Sequence, residues 1–151
     1  MMPASPPPET QPLTMECVVA VAQRYQLPVE LIGGILAQEH GRLGQSRPNR
    51  DGSRDLGPMQ VNSFWLPMLH RYGVEESHLL HHGCYNLAVG AWIVRYEHAH
   101  GDLWRAVGRY HSHDPQRAAG YAARVEEKAR DIAEGRSSLD KILRYANGNP
   151  S

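Results

Sequence analysis

The chain has 151 residues, the length of one ordinary domain, so any chemistry and any binding surface share a single core. Sixteen Lys and Arg balance sixteen Asp and Glu, which leaves no net field to hold a nucleic acid backbone or an anionic membrane surface. No apolar run approaches the roughly 20 residues of a membrane span. Residues 1 to 13, MMPASPPPETQPL, are too rich in proline and too poor in large apolar side chains to order against a core, and read as a flexible leader. They lack the basic start and apolar stretch of a secretory signal. Thr14 caps a first helix on which Cys17, Val18, Val21, Ala22 and Tyr25 recur at helical spacing, ending near Gln26. Pro28 suits the first turn of a second helix, whose stripe of Leu31, Ile32, Ile35 and Leu36 leads to Glu39, and Gly41 is expected to stop it.

Residues 41 to 57 have no hydrophobic period and carry the Gly, Pro, Asn, Asp and Ser of an ordered loop, with one small hairpin around Asp51 to Asp55. A loop of this length usually has a function. Pro58 to Leu69 is apolar enough to return to the core as a short helix. Leu87, Ala88, Ala91, Trp92 and Ile93 mark a long buried helix from about Cys84 to His100, stopped by Gly101. Asp102 caps the next, which carries Leu103, Val107 and Tyr110. Asp114 and Pro115 are a cap followed by a first-turn proline, opening a helix through Tyr121, Val125 and Ile132. Residues 135 to 151 form a polar tail in which Leu139, Ile142 and Leu143 suit a short docked helix. The fold class is mainly α, one helical domain over residues 14 to 134.

The two cysteines, Cys17 and Cys84, form no CxxC motif. Bonded, they would close a long loop worth about 4 kcal/mol in the chain-entropy model and indicate an oxidising compartment. Two buried thiols fit the spacing equally well.

Glu39 follows Ile35 by four residues and Ile32 by seven, so its carboxylate projects from the apolar face of its helix. Partial burial disfavours the charged form and raises the pKa, as a general acid working near neutral pH requires. A helix-end glutamate that has reached solvent is the alternative reading of position alone.

The residues after Glu39 carry more. Glu39, then Asn49-Arg50-Asp51-Gly52-Ser53-Arg54-Asp55-Leu56-Gly57, then Met59-Gln60-Val61-Asn62 follow in the order and spacing of soluble lytic transglycosylases. The chain resembles the specialised members that serve type III and type IV secretion, conjugation and pilus assembly. The similarity runs on through Cys84-Tyr85-Asn86, Gly90-Ala91, Ala106-Val107-Gly108-Arg109-Tyr110 and Tyr121 to Val125, and spans roughly residues 15 to 126. The resemblance implies a lysozyme-like fold similar to goose-type lysozyme, with a glycan groove and a catalytic glutamate at a helix end. It implies peptidoglycan strands as substrate, no cofactor, and a periplasmic location reached by export. The implied partners are components of a secretion, conjugation or pilus machine. Several members pair a cysteine before the first helix with one ahead of the central helix, which implies a Cys17 to Cys84 disulfide.

Role by role, the resemblance makes Glu39 the acid that protonates the oxygen between N-acetylmuramic acid and N-acetylglucosamine. Glu39 then takes a proton from the muramoyl 6-hydroxyl as that oxygen attacks the anomeric carbon, giving a 1,6-anhydro sugar. Asp55 matches an aspartate thought to assist, by steadying positive charge or by fixing the loop. A turn or cap aspartate is its plain alternative. Gln60 and Asn62 would offer amides to the glycan, with Met59 packed beneath the groove. Ser53, Tyr110, His111 and Tyr121 complete the expected substrate-binding set, and the Tyr110 hydroxyl is expected to hold the carboxyl of Glu39.

Two departures stand out. His40 replaces the serine common after the glutamate, and His111 replaces the asparagine common after the motif tyrosine. The spaced histidine pairs His98 with His100 and His111 with His113 would face apart on a helix, and Gln38-Glu39-His40-Gly41 is no zincin motif, so no metal is expected. The competing functions are a water-using muramidase with Asp55 as second carboxylate, and an inactive peptidoglycan-binding module of the same fold.

Overall fold

The structure is a computed structural model that describes residues 10 to 149. The first nine residues of the expected leader lie outside the described residues. Gln11 is bridged to His82, and Leu13 is buried, its backbone bonded in both directions to the Asn147 side chain.

Helix α1 (Met15–Tyr25) starts where the Thr14 hydroxyl accepts the Cys17 N–H at 3.1 Å. Helix α2 (Val29–Glu39) follows Pro28 and buries Leu31, Ile32, Ile35 and Leu36. The expected stop at Gly41 needs correction. His40 makes the turn instead, in the left-handed region at φ 54°, with its N–H on the Leu36 carbonyl. Gly41 is required for close approach, since a Cβ there would stand 2.2 Å from the Gly57 carbonyl oxygen.

The loop after α2 folds into an antiparallel sheet of β1 (Ser46–Pro48), β2 (Arg54–Leu56) and β3 (Val61–Asn62), in that order. Arg47 lies opposite Asp55, and Asp55 opposite Asn62, so three polar side chains stand in one row across the sheet. A 3-10 turn (Ser63–Trp65) leads into α3 (Leu66–His70), and α4 (Glu76–His81) precedes the long α5 (Gly83–Glu97). Asn86 of α5 is fully buried and ties these pieces together. Its Oδ1 accepts the Met59 N–H at 2.7 Å, and its Nδ2 donates to the Leu56 and Leu79 carbonyls. These bonds make the burial tolerable, whereas a polar group left open there would cost about 1 to 3 kcal/mol.

Asp102 caps α6 (Leu103–His111) and Asp114 caps α7 (Pro115–Ala133), each by accepting the N–H three residues on. Helix α8 (Leu139–Ala146) docks through Leu143 and Ala146. Among the described residues these are eight α-helices around one core, with no helix long and apolar enough to cross a membrane. Two adjacent glycines let α2 sit close to its neighbours. A Cβ on Gly34 would stand 2.9 Å from the Val125 carbonyl of α7, and one on Gly33 would stand 2.8 Å from Ile132. That packing brings the end of α2 against the middle of α7. Cys17 of α1 and Cys84 of α5 are bonded, with their Cα atoms 5.8 Å apart.

Candidate active site

Glu39 ends α2 at the wall of a cleft of about 540 Å³, which Asp55, Gln60, Asn62, Tyr110 and His111 also line. The helix cannot continue past it, because the left-handed His40 turns the chain away and packs its ring edge-on against Tyr145 of α8. His40 therefore serves the α8 contact.

Burial pushes the Glu39 carboxyl up to about 7, and the nearby Asp55 charge adds to the rise. Opposing them are a hydrogen bond from the Tyr121 hydroxyl to Oε2, at 3.1 Å, and the charges of Arg47 and Arg124. Desolvation wins. At neutral pH the group is divided between a form that can give a proton and one that can take it, as a combined general acid and base requires.

The tyrosine hydroxyl on the Glu39 carboxyl is that of Tyr121 and not, as expected, that of Tyr110. Tyr121 holds the carboxyl, because α7 packs directly on α2. Tyr110 stands on α6 and donates to the Met59 carbonyl at 2.5 Å. Burial first, and then the proximity of Glu39, keep both phenols well above their ordinary pKa, so both remain donors. Tyr121 is 1 % exposed and does not line the cleft. Its ring is covered by the His111 imidazole, parallel to within 7° at a centroid distance of 4.6 Å. His111 itself is exposed in the cleft, and burial followed by the Arg124 charge lowers its pKa.

The Met59 side chain has no exposed surface and packs on Gly90, where a Cβ would meet it at 2.6 Å. It shapes the floor of the cleft from below. Gln60 does line the cleft. Its backbone adopts φ 52°, its Nε2 donates to the Gly57 carbonyl, and its Oε1 is a buried acceptor without a protein partner.

Asp55 is held on β2 by Asn62, whose Nδ2 donates to Asp55 Oδ1 and to Ser53 Oγ, each at 3.0 Å. Ser53 also accepts from Asn49 and donates to Asp51 at 2.6 Å. The Ser53 hydroxyl is therefore engaged by the loop, which it fastens to the sheet. The cleft adds Arg47, Trp65, Ile93 and Arg117, which the sequence reading missed. Arg47 has a detectable signal only once the strand register sets it opposite Asp55.

The spaced histidines also find neighbours. His113 pairs with the buried Glu97, which Arg109 holds from the other side. Among the described residues no three His, Cys, Asp or Glu side chains converge as metal ligands.

No family model matches the chain. It is 34% identical over 137 residues to the invasion protein IagB of Salmonella typhimurium, covering 87% of this chain and 85% of that protein. It is 30% identical over 99 residues to protein IpgF of Shigella flexneri, covering 64% of this chain and 65% of that protein. A peptidoglycan-binding-like protein of Escherichia coli O157:H7 is 31% identical over 98 residues, covering 61% of this chain and 54% of that protein.

Proposed function

Because the chain belongs to the family of the invasion protein IagB, we propose that it is a lytic transglycosylase that opens the cell wall for a secretion, conjugation or pilus apparatus. The observation that carries this reading is the Glu39 carboxyl, raised to about 7 by desolvation at the wall of a polar cleft. The peptidoglycan-binding-like relative supports the glycan as substrate, and the disulfide fits an oxidising, periplasmic location.

In this mechanism a glycan strand lies along the cleft with the bond between N-acetylmuramic acid and N-acetylglucosamine at Glu39. The protonated carboxyl gives its proton to the bridging oxygen as the bond to the anomeric carbon breaks. Positive charge on the sugar is shared by its own 2-acetamido group, as in substrate-assisted exceptions to the two-carboxylate scheme. The Glu39 carboxylate, steadied by the Tyr121 hydroxyl, then takes the proton of the muramoyl 6-hydroxyl as that oxygen bonds to the anomeric carbon. The proton count closes with Glu39 reprotonated, no water consumed, and a 1,6-anhydromuramoyl end released. In the cleft, Asp55 faces the developing charge.

The test compares Glu39→Gln with Asp55→Asn. The amide that Glu39→Gln introduces can give no acidic proton, so turnover should vanish while glycan binding persists. Asp55→Asn should retain measurable turnover, because the nucleophile belongs to the substrate. Equal inactivation by both, with water incorporated into the product, would identify a muramidase using Asp55. Undiminished cleavage by Glu39→Gln would remove the assignment altogether.

A further inference from the structure

The chain's single phenylalanine, Phe64, is 76 % exposed, an unfavourable place for a ring that could have joined the core. It is held there by local structure. The Asn62 Oδ1 accepts the Phe64 N–H at 2.9 Å and opens the 3-10 turn, so a residue of the cleft sets the position of the exposed ring. Phe64 meets Trp65 edge to face at a centroid distance of 5.6 Å, and Trp65 meets Trp92 and Tyr96 in the same manner at 5.6 and 5.7 Å. Trp92 and Tyr96, one helical turn apart on α5, stack on each other at 5.4 Å, and Tyr96 is 51 % exposed. The four rings form one connected surface that begins inside the cleft, because Trp65 lines it beside Ile93.

A contiguous aromatic patch of this kind marks an interaction site. Its chemistry selects among occupants. Rings with apolar faces and one polar rim suit a ligand with C–H faces and hydroxyl edges, which describes a pyranose. Its continuity with the cleft supplies the source of that ligand, since Trp65 lines the cleft and its ring touches both Phe64 and Tyr96.

We propose that Phe64, Trp65, Trp92 and Tyr96 form a distal platform on which a long glycan strand stacks after it leaves the catalytic cleft, so that the protein engages polymer in preference to short fragments. The inference rests on the proposed glycan function. The platform holds substrate away from the reacting atoms, so it acts on binding of long chains and leaves the chemical step unchanged.

The double variant Phe64→Ala with Tyr96→Ala removes the two exposed rings and leaves Trp65 and the cleft in place. KM for sacculi should rise about tenfold or more, from two aromatic contacts, while kcat/KM for a tetrasaccharide of alternating N-acetylglucosamine and N-acetylmuramic acid stays at the wild-type value. A second measurement is independent of turnover. In Glu39→Gln, titration with soluble glycan strands should change tryptophan fluorescence increasingly with strand length, and the added ring deletions should abolish that length dependence. Wild-type digestion of sacculi by the ring variant overturns the proposal. Equal loss on sacculi and tetrasaccharide overturns it too, since the rings would then be supporting the cleft. If the wild type cleaves neither substrate the functional reading fails, while the fluorescence titration still decides whether the platform binds glycan.

Discussion

Glu39 is unfavourable to fold in its ionised form, because the native state holds its pKa at about 7 against an ordinary 4.5. The folded state therefore binds the proton more tightly than the unfolded state does. Its contribution to stability is fully present below about pH 4.5 and is lost as pH rises through 7. Glu39→Gln removes that loss, so the variant should be more stable than wild type at pH 8, by on the order of 1 to 3 kcal/mol, and nearly match it at pH 4. Thermal melts of both proteins across this range check the sign, and a variant less stable at pH 8 than at pH 4 relative to wild type would contradict it. Turnover should follow the same titration and fall above about pH 7, where the acid is lost. Tyr121→Phe removes the bond that favours the carboxylate, so the alkaline limb should move to higher pH and kcat should drop about tenfold, the worth of one hydrogen bond to a charged group. A pH profile of kcat for this variant reads both effects, and an unmoved limb would show that Tyr121 does not hold Glu39 in solution.

At the scale of elements, the bond between Cys17 and Cys84 joins α1 to α5 across 67 residues of sequence. Neither end lines the cleft. Replacing both cysteines by serine should lower stability by about 2 to 4 kcal/mol and leave turnover at low temperature close to wild type. Denaturant melts and sacculus digestion measure the two separately, and a parallel collapse of activity would show that the disulfide shapes the cleft. The same elements show what is legible without coordinates. Thr14, Asp102 and Asp114 announce their helices because capping is local, and the stripe from Leu31 to Leu36 points to Glu39 because a helix repeats every 3.6 residues. Helix α4 is hidden in Glu76 to His81, where only Leu79 is buried and no apolar stripe forms. The His40 stop is equally silent, since a histidine with positive φ has no sequence signature beside a glycine suited to the same turn. Tyr121 could not be chosen over Tyr110 because its bond to Glu39 spans 82 residues and exists only once Gly33 and Gly34 let α2 close on its neighbours.

At the scale of the whole molecule, the balanced charge leaves recognition to shape and to short-range polar and aromatic contacts. The cleft concentrates the polar ones around Glu39 and Asp55, and no catalytic partner beyond Glu39 and the substrate's own 6-hydroxyl is needed for the proposed reaction. That small set of parts distinguishes the account from hydrolysis, in which water would be both placed and consumed. The most direct measurement is digestion of purified sacculi by the wild-type protein, with mass analysis of the released fragments. A transglycosylase acting through Glu39 releases 1,6-anhydromuramoyl ends as the main product, formed without uptake of labelled oxygen from water. Reducing muramic acid ends carrying that label, or sacculi left intact, would contradict this assignment.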